Sequence, residues 1–176
     1  MGPICRNSAE HRTQSGRAAV RRGLGAAAEA LLRQIGPTVE DFVELARQDP
    51  TLTVTDEMTD VEVADHLATL LTDLANSLAV LGEASGEVTD QLMDGSRIQR
   101  LIGELHGAHR SRLGWTEAQL MREGELIRDV CEAAISRAVA GDAQAAEAAV
   151  TALSRLLQER VRASRHGFRG AGGAGS

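Results

Sequence analysis

The sequence contains no lysine and no tyrosine, and its aromatic residues are few. All 19 of its basic side chains are arginine, and its aromatic residues are Phe42, Trp115 and Phe168. A haem pocket with aromatic walls is therefore hard to build. Strands would need more β-branched and aromatic residues, whereas the leucine, alanine and valine that make up most of the apolar fraction suit packed helices.

Cysteines and long apolar runs are also scarce. Cys5 and Cys131 are the only cysteines, and neither belongs to a metal-ligand spacing, so we expect neither a disulfide framework nor a zinc site. No apolar run approaches the roughly 18 residues that span a bilayer, and the N-terminus lacks the apolar segment of a secretory signal. We therefore expect a reduced, cytoplasmic setting and no membrane partner.

The net charge of −6 is distributed unevenly. Residues 1–24 and 155–176 each carry five arginines against one glutamate, a net +4, whereas residues 25–154 carry nine arginines against 23 acids, a net −14. Basic ends can bind nucleic acid. Here the acidic centre would repel phosphate, and the ends have almost no aromatic side chains for base stacking. We expect solvated ends and no nucleic-acid partner.

Helical periodicity and capping signals dominate the rest of the sequence. Capping boxes are predicted at Thr59–Glu62, Ser96–Gln99 and Thr116–Gln119, where a hydroxyl residue precedes Glu or Gln by three positions. Asp142 is predicted to cap the last helix. Apolar residues at helical spacing follow each signal. The predicted fold is all-α: a helical bundle or a non-haem globin-like pack of five to six helices.

The domain organisation follows from where this periodicity starts and stops. Residues 1–22 are polar and aperiodic and are predicted to be a disordered basic tail. Residues 23–166 are predicted to form one helical domain, and residues 167–176 a flexible glycine-rich tail. Within the domain, Gly36–Pro37 is expected to separate two helices, and the stretch Thr59–Gly82 is expected to be one continuous helix.

Histidines have the clearest chemical potential in this sequence. His106 and His109 lie three apart on one predicted helix and are therefore neighbours, but a metal site would need a third ligand, and the Glu-x-x-His motifs of a di-iron bundle are absent. Neither histidine is followed by the x-x-Lys-Gly of a histidine phosphotransfer domain, and nucleotide-binding motifs are absent. We expect no catalytic site, no metal and no cofactor. A histidine phosphocarrier and a metal-binding helical bundle are the alternatives.

The stretch HGAHRSRLGWTEAQLMREGELIR combines His-x-x-x-Arg-x-x-x-Gly-aromatic with a following helix that carries Leu-x-x-Glu-x-x-x-x-Arg. This pattern resembles the RsbRD N-terminal domain family, named for RsbT co-antagonist proteins of the stressosome. Similar domains precede kinase modules in bacterial sensor histidine kinases. The resemblance spans about residues 27–140. The matched residues are His106, Arg110, Gly114, Trp115, Leu120, Glu123 and Arg128.

The resemblance implies a helical sensory or scaffolding domain without haem. Its partner would be a signalling protein, such as a kinase or a stressosome-type component. We therefore expect a bacterial, non-catalytic regulatory module of stress or two-component signalling, which acts through helix-mediated protein–protein contacts.

Two packing predictions follow from the residues themselves. Gly114 ends one helix and Trp115 precedes the next, so the two helices form a hairpin in which Arg110 and Glu123 lie at similar depth. An ion pair between them, or one through Arg128, would fix the register of the hairpin. The alternative is an exposed pair worth ~0–1 kcal/mol.

The second packing prediction concerns the last helix. Leu156, Leu157 and Val161 continue its apolar stripe beyond what the core needs, and we expect them to be exposed. They are the predicted interface of an isologous homodimer. The alternative is that the last helix folds back wholly onto its own core and the chain is monomeric.

Overall fold

The computed structural model describes residues 6–83, 90–139 and 141–172, and within these ranges it contains helices and no strand. A 3-10 helix at Thr53–Glu57 and the five-residue α3 join the six long helices. The all-α prediction is confirmed. The α-helices are α1 (Arg6–Arg33), α2 (Ile35–Gln48), α3 (Asp60–Ala64), α4 (Leu67–Glu83), α5 (Asp90–Arg112), α6 (Glu117–Ala138) and α7 (Ala143–Gly172).

Helix α7 lies at the centre of the fold. It contacts α1, α4, α5 and α6, while α1 also packs against α4 and α6, and α2 packs against α3, α4 and α6. The core between these helices is aliphatic, and burial of such side chains stabilises the fold by about 1.5–3 kcal/mol each. Leu31, Leu71, Leu78, Ile135 and Leu153 are all at 0% exposure.

Helices α5 and α7 approach each other closely because glycines line their contact. A β-carbon added at Gly107 would lie 1.7 Å from the carbonyl oxygen of Ser164, and one at Gly167 would lie 1.9 Å from that of Glu104. Gly103 belongs to the same contact. Larger residues at these positions would force the two helix backbones apart.

Three helix starts lie where the capping signals predicted them. Thr59 and Thr116 form reciprocal capping boxes at the starts of α3 and α6. Asp142 Oδ1 accepts a hydrogen bond from the Ala145 amide at 3.0 Å at the start of α7. By contrast, α5 begins at Asp90 and not at Ser96.

The two predicted tails are largely helical. Residues 6–22 belong to α1 and residues 167–172 to α7, whereas residues 1–5 and 173–176 lie outside the described residues. Small residues explain the difference, because a β-carbon added at Gly23 would lie 2.7 Å from that of Ala145, and Gly167 packs on α5. A helix that packs through glycine and alanine needs no leucines on its buried face, so its sequence shows no leucine periodicity.

Two predicted boundaries inside the domain also move. Helices α1 and α2 are separated at Gln34. Pro37 lies in the first turn of α2, where its missing N–H leaves no hydrogen bond unmade. The predicted Thr59–Gly82 helix is interrupted at Asp65 and His66, for a reason that lies in the polar cluster described below.

We predict that Gly107→Ala destabilises the protein by about 1–3 kcal/mol, because the new methyl group overlaps the α7 backbone. Gly25→Ala is the control: Gly25 is also within a helix but has no atom within 4 Å of an added β-carbon. It should stabilise the fold by up to ~1 kcal/mol through helix propensity. Denaturant unfolding measures the stability of both variants. Equal shifts of the two unfolding midpoints would contradict the close contact between α5 and α7 at Gly107.

Candidate functional site

Arg110 is at 0% exposure where α3, α5 and α6 meet. Its Nε and Nη2 donate to Glu123 Oε1 at 3.0 and 2.7 Å. Its Nη1 and Nη2 also donate to the carbonyl oxygens of Glu62 and Val63 at 3.2 and 3.1 Å. The guanidinium lies 4.4 Å from the centre of the Trp115 ring, a cation–π contact. The expected Arg110–Glu123 ion pair is therefore present, and it is buried.

The turn between α5 and α6 is built as predicted, but the hairpin is not. Gly114 has φ +82°, and Trp115 and Leu120 are buried after it. Helix α5 packs along its length against α7 and touches α6 only slightly. The Arg110–Glu123 pair therefore joins two helices that diverge from a common turn.

The contacts of Arg110 with α3 explain why that helix is short. Glu62 and Val63 belong to the last turn of α3, whose carbonyl groups have no partner within the helix. A buried cation satisfies two of them and also complements the negative end of the helix dipole. The chain then turns at Asp65, which has a positive φ of 45°. Such a backbone costs about 1–3 kcal/mol, so the contacts made by Asp65 must offset it.

Asp65 lies between two histidines. Its Oδ2 accepts from His66 Nδ1 at 2.8 Å and from His106 Nδ1 at 3.1 Å. The other ring nitrogen of His106, Nε2, lies 2.9 Å from Glu123 Oε2. Because both partners of His106 are carboxylates, both of its nitrogens must donate, and the ring is an imidazolium.

His66 has the opposite environment. Its Nδ1 donates to Asp65, and its Nε2 contacts Arg160 Nη2, which can only donate. The Nε2 lone pair must therefore accept, and the ring is neutral. The two imidazoles meet edge to face with their centres 4.7 Å apart. We call Asp65, His66, His106, Arg110 and Glu123 the polar cluster.

The pKa values follow the same division. Burial alone would lower the pKa of His106, but the carboxylates of Glu123 and Asp65 outweigh it and raise that pKa. Burial lowers the pKa of His66, and the positive charges of His106 and Arg160 lower it further. Burial opposes ionisation of Asp65 and Glu123, yet their hydrogen bonds and the neighbouring cations hold both pKa values below the usual range. When the pKa values of two neighbouring imidazoles shift in opposite directions, the ring with the raised pKa keeps its proton and the other ring stays neutral.

Within the described ranges, Asp65, His66 and His106 form a group that could hold a metal ion. Each offers one ligand atom, and these atoms lie within 4.8 Å of one another. Two imidazoles and one carboxylate fit a three-ligand transition-metal site. However, the ring nitrogens that face Asp65 already donate to it, and Arg160 lies against one of the rings. A divalent cation would have to displace these donors. We therefore interpret the polar cluster as a hydrogen-bond network and not as a metal site.

The predicted histidine pair is replaced by a different one. His109 is exposed, and the partner of His106 is His66 from the far side of the α3–α4 break. Arg128 is also outside the polar cluster; its side chain is 44% exposed and approaches Asp129 at 3.8 Å. Sequence inspection missed Asp65, His66 and Arg160 as site residues.

The exposed apolar patch predicted on the last helix is wrong. Leu157 is in the core at 4% exposure, and Leu156 packs against the core. Val161 is half-buried and lies against Gly124 of α6. Gly124 leaves room for it, because an added β-carbon there would be 2.9 Å from Val161.

Comparison of the chain with protein-family models, with curated proteins and with solved structures found no match. The resemblance to the RsbRD N-terminal domain therefore depends on the motif residues alone. Among the described residues, none of the helices combines the length and the apolar character that crossing a membrane requires.

We predict that Glu123→Gln destabilises the protein by about 3–5 kcal/mol, because it leaves the Arg110 guanidinium buried without a counter-charge. The matched control is Glu159→Gln, which removes an exposed glutamate that pairs with Arg162. That change should cost less than ~1 kcal/mol. Urea unfolding at pH 7 measures the free energy of unfolding of each variant. Similar losses of this free energy in both variants would mean that the Arg110 charge is solvated.

We also predict a pH dependence that comes from His106. Its pKa is raised on folding, so its contribution to stability is complete below the unfolded pKa of about 6.5. The contribution is lost as the pH rises through the higher folded-state pKa. The free energy of unfolding, measured from about pH 6 to about pH 9, should therefore converge between the wild type and His106→Gln as the pH rises. A constant difference between the two proteins over that range would show that His106 does not titrate there.

Proposed function

We propose that this protein is a non-catalytic regulatory module of bacterial stress or two-component signalling, which acts through helix-mediated protein contacts. The motif residues support this proposal because most of them serve one packing arrangement. His106, Arg110 and Glu123 belong to the polar cluster, Trp115 lies against it, and Gly114 makes its turn. Because these motif residues contact one another in a single packing arrangement, the motif favours a structural role for them over a catalytic one.

The geometry of His106 argues against the phosphocarrier alternative at that residue. A phosphoryl acceptor needs an accessible nitrogen with a free lone pair, whereas the His106 side chain is 8% exposed and both of its nitrogens face carboxylates. His109 is exposed. Incubation of the wild type and of His109→Gln with a small phosphodonor tests this alternative, and stoichiometric uptake that is lost in the variant would favour it.

A stripe of exposed aliphatic side chains on α5 carries the proposal. Ile98, Leu101 and Leu105 are 61%, 55% and 59% exposed, and their spacing of three and four residues places them on one face of the helix. The opposite face of α5 presents Gly103 and Gly107 to α7. These three large aliphatic side chains therefore face outward, which is typical of a helix that packs against a partner.

The partner we propose is a second copy of this chain. Arg100 and Glu104 lie beside the stripe and approach each other at 3.6 Å. Their charges have opposite sign, so two copies can approach through this surface without strong repulsion. Two-fold dimers, in which the same surface patch of each subunit pairs with itself, are the commonest soluble oligomers. A kinase or stressosome-type partner is a further expectation that comes from the resemblance.

We predict that Leu101→Glu converts a dimer to a monomer, because it places a charge in the centre of the apolar stripe. The matched control is Val61→Glu, since Val61 is also an exposed aliphatic residue, at 79%, but belongs to α3 and not to the stripe on α5. Light scattering at tens of micromolar (about the Kd range of a weak dimer) should give twice the chain mass for the wild type and for Val61→Glu. Far-UV circular dichroism should be the same for all three proteins.

Two outcomes would contradict the homodimer. A wild type that is monomeric at these concentrations would leave α5 without a second copy as its partner. A Leu101→Glu protein that stays dimeric would place the interface elsewhere on the molecule.

A further inference from the structure

A groove of about 860 Å³ opens between α4, α5 and α7. Its apolar lining includes Leu70, Leu74 and Val80 of α4 and Leu156 of α7. Its volume is within the range of small-molecule sites, which is about 300–1,000 Å³. Such sites combine an apolar lining with a few polar groups that orient the ligand.

Arg160 is the polar group that distinguishes this groove. It lines the groove from α7 although only 9% of its surface is exposed. Its Nη1 donates to Gln99 Oε1 at 3.5 Å, and its Nη2 contacts His66 Nε2. Both of these acceptors are neutral, and no carboxylate among the described residues forms an ion pair with Arg160. The structure therefore holds a largely buried cation without a direct counter-charge.

The other arginines of the groove differ in this respect. Arg100 approaches Glu104 at 3.6 Å, and Arg162 donates to Glu159 at 2.5 Å. Burial lowers the pKa of Arg160 to about 10, which still leaves its guanidinium charged at neutral pH. A buried charge is costly unless an opposite charge meets it. The carboxylates of Asp73, Glu123 and Asp65 act on Arg160 without a direct ion pair, so an anion in the groove would be its first direct counter-charge.

We propose that the groove binds a small organic monocarboxylate, whose carboxylate pairs with Arg160 and whose apolar chain lies against Leu74 and Val80. A guanidinium and a carboxylate form two parallel hydrogen bonds, and this geometry selects carboxylates among polar groups. The apolar lining selects against small hydrophilic anions. This binding site goes beyond the proposed self-association and does not depend on it.

Asp73 sharpens the proposal because it also lines the groove. Its Oδ2 accepts from Gln99 Nε2 at 2.6 Å, and the other end of the Gln99 amide faces Arg160. Asp73 therefore repels an anion that approaches Arg160. Removal of its charge should strengthen carboxylate binding, whereas removal of the Arg160 charge should weaken it.

The test is calorimetric titration of the full chain with decanoate, and with decanol as a probe of the same apolar length without the charge. We expect one decanoate per chain and binding of decanol that is about ten-fold weaker or more. Arg160→Gln should weaken decanoate binding by about ten-fold or more and leave decanol unchanged. Asp73→Asn, which keeps an acceptor for Gln99, should tighten decanoate binding.

Further arms of the experiment separate the groove from other surfaces. Ser77→Trp fills the groove and should abolish binding, whereas Ala68→Trp, at an exposed position of α4 outside the groove, should not. Circular dichroism of each variant checks that it is folded. Titration of the Leu101→Glu protein separates ligand binding from self-association. Inorganic phosphate alone should not bind.

Several results would overturn the proposal. Equal affinities for decanoate and decanol, or an Arg160→Gln protein that binds decanoate as well as the wild type, would remove the role of the charge. Binding of inorganic phosphate as tightly as decanoate would remove the role of the apolar wall. Absence of decanoate binding at millimolar concentration would refute the site itself.

Discussion

The buried guanidinium of Arg110 is the interaction on which the rest of this structure depends. A cation removed from water is costly, and its contacts with Glu123, two backbone carbonyl oxygens and the Trp115 ring offset that cost. Those contacts come from α3, from the turn after α5 and from α6. An arrangement that lost any of these elements would leave the buried guanidinium partly unsatisfied, so we infer that Arg110 contributes mainly to the specificity of the fold.

A second constraint is the glycine contact between α5 and α7. Gly103 and Gly107 bring the two helix backbones together, so α5 presents almost no side-chain volume to α7 at this contact. Its aliphatic residues are therefore available for the outer face, where Ile98, Leu101 and Leu105 are exposed. In α4 the arrangement is the usual one, with the leucines directed into the core. The contrast between the two helices supports the proposal that α5, and not α7, is the contact surface.

Local signals in the sequence were sufficient for much of the fold. Capping boxes at Thr59 and Thr116 marked two helix starts because they depend only on residues three positions apart. The Arg110–Glu123 pair was predictable because both residues lie close to the turn at Gly114. By contrast, the sequence predicts disorder for the tails, because alanine and glycine at a close helix contact give no leucine periodicity.

Non-local contacts account for what the sequence could not predict. Nothing within the stretch from Thr59 to Gly82 marks a helix break at Asp65, since the cause is Arg110, more than 40 positions away. Arg160 gave no signal either, because an arginine on a helix is ordinary until α4 and α5 enclose it. A lone positive φ at an aspartate shows only in the structure, and it is what places Asp65 between the two histidines.

The contact between Arg160 and His66 joins the groove to the polar cluster. Arg160 can donate to His66 Nε2 only while that nitrogen carries a lone pair, so protonation of His66 and this contact exclude each other. An anion that draws Arg160 toward the groove therefore removes a reason for His66 to be neutral. Linkage is reciprocal: if the anion favours proton uptake by His66, then proton uptake favours the anion to the same degree. His66 shares Asp65 with His106, so this carboxylate connects the Arg160 contact to the polar cluster.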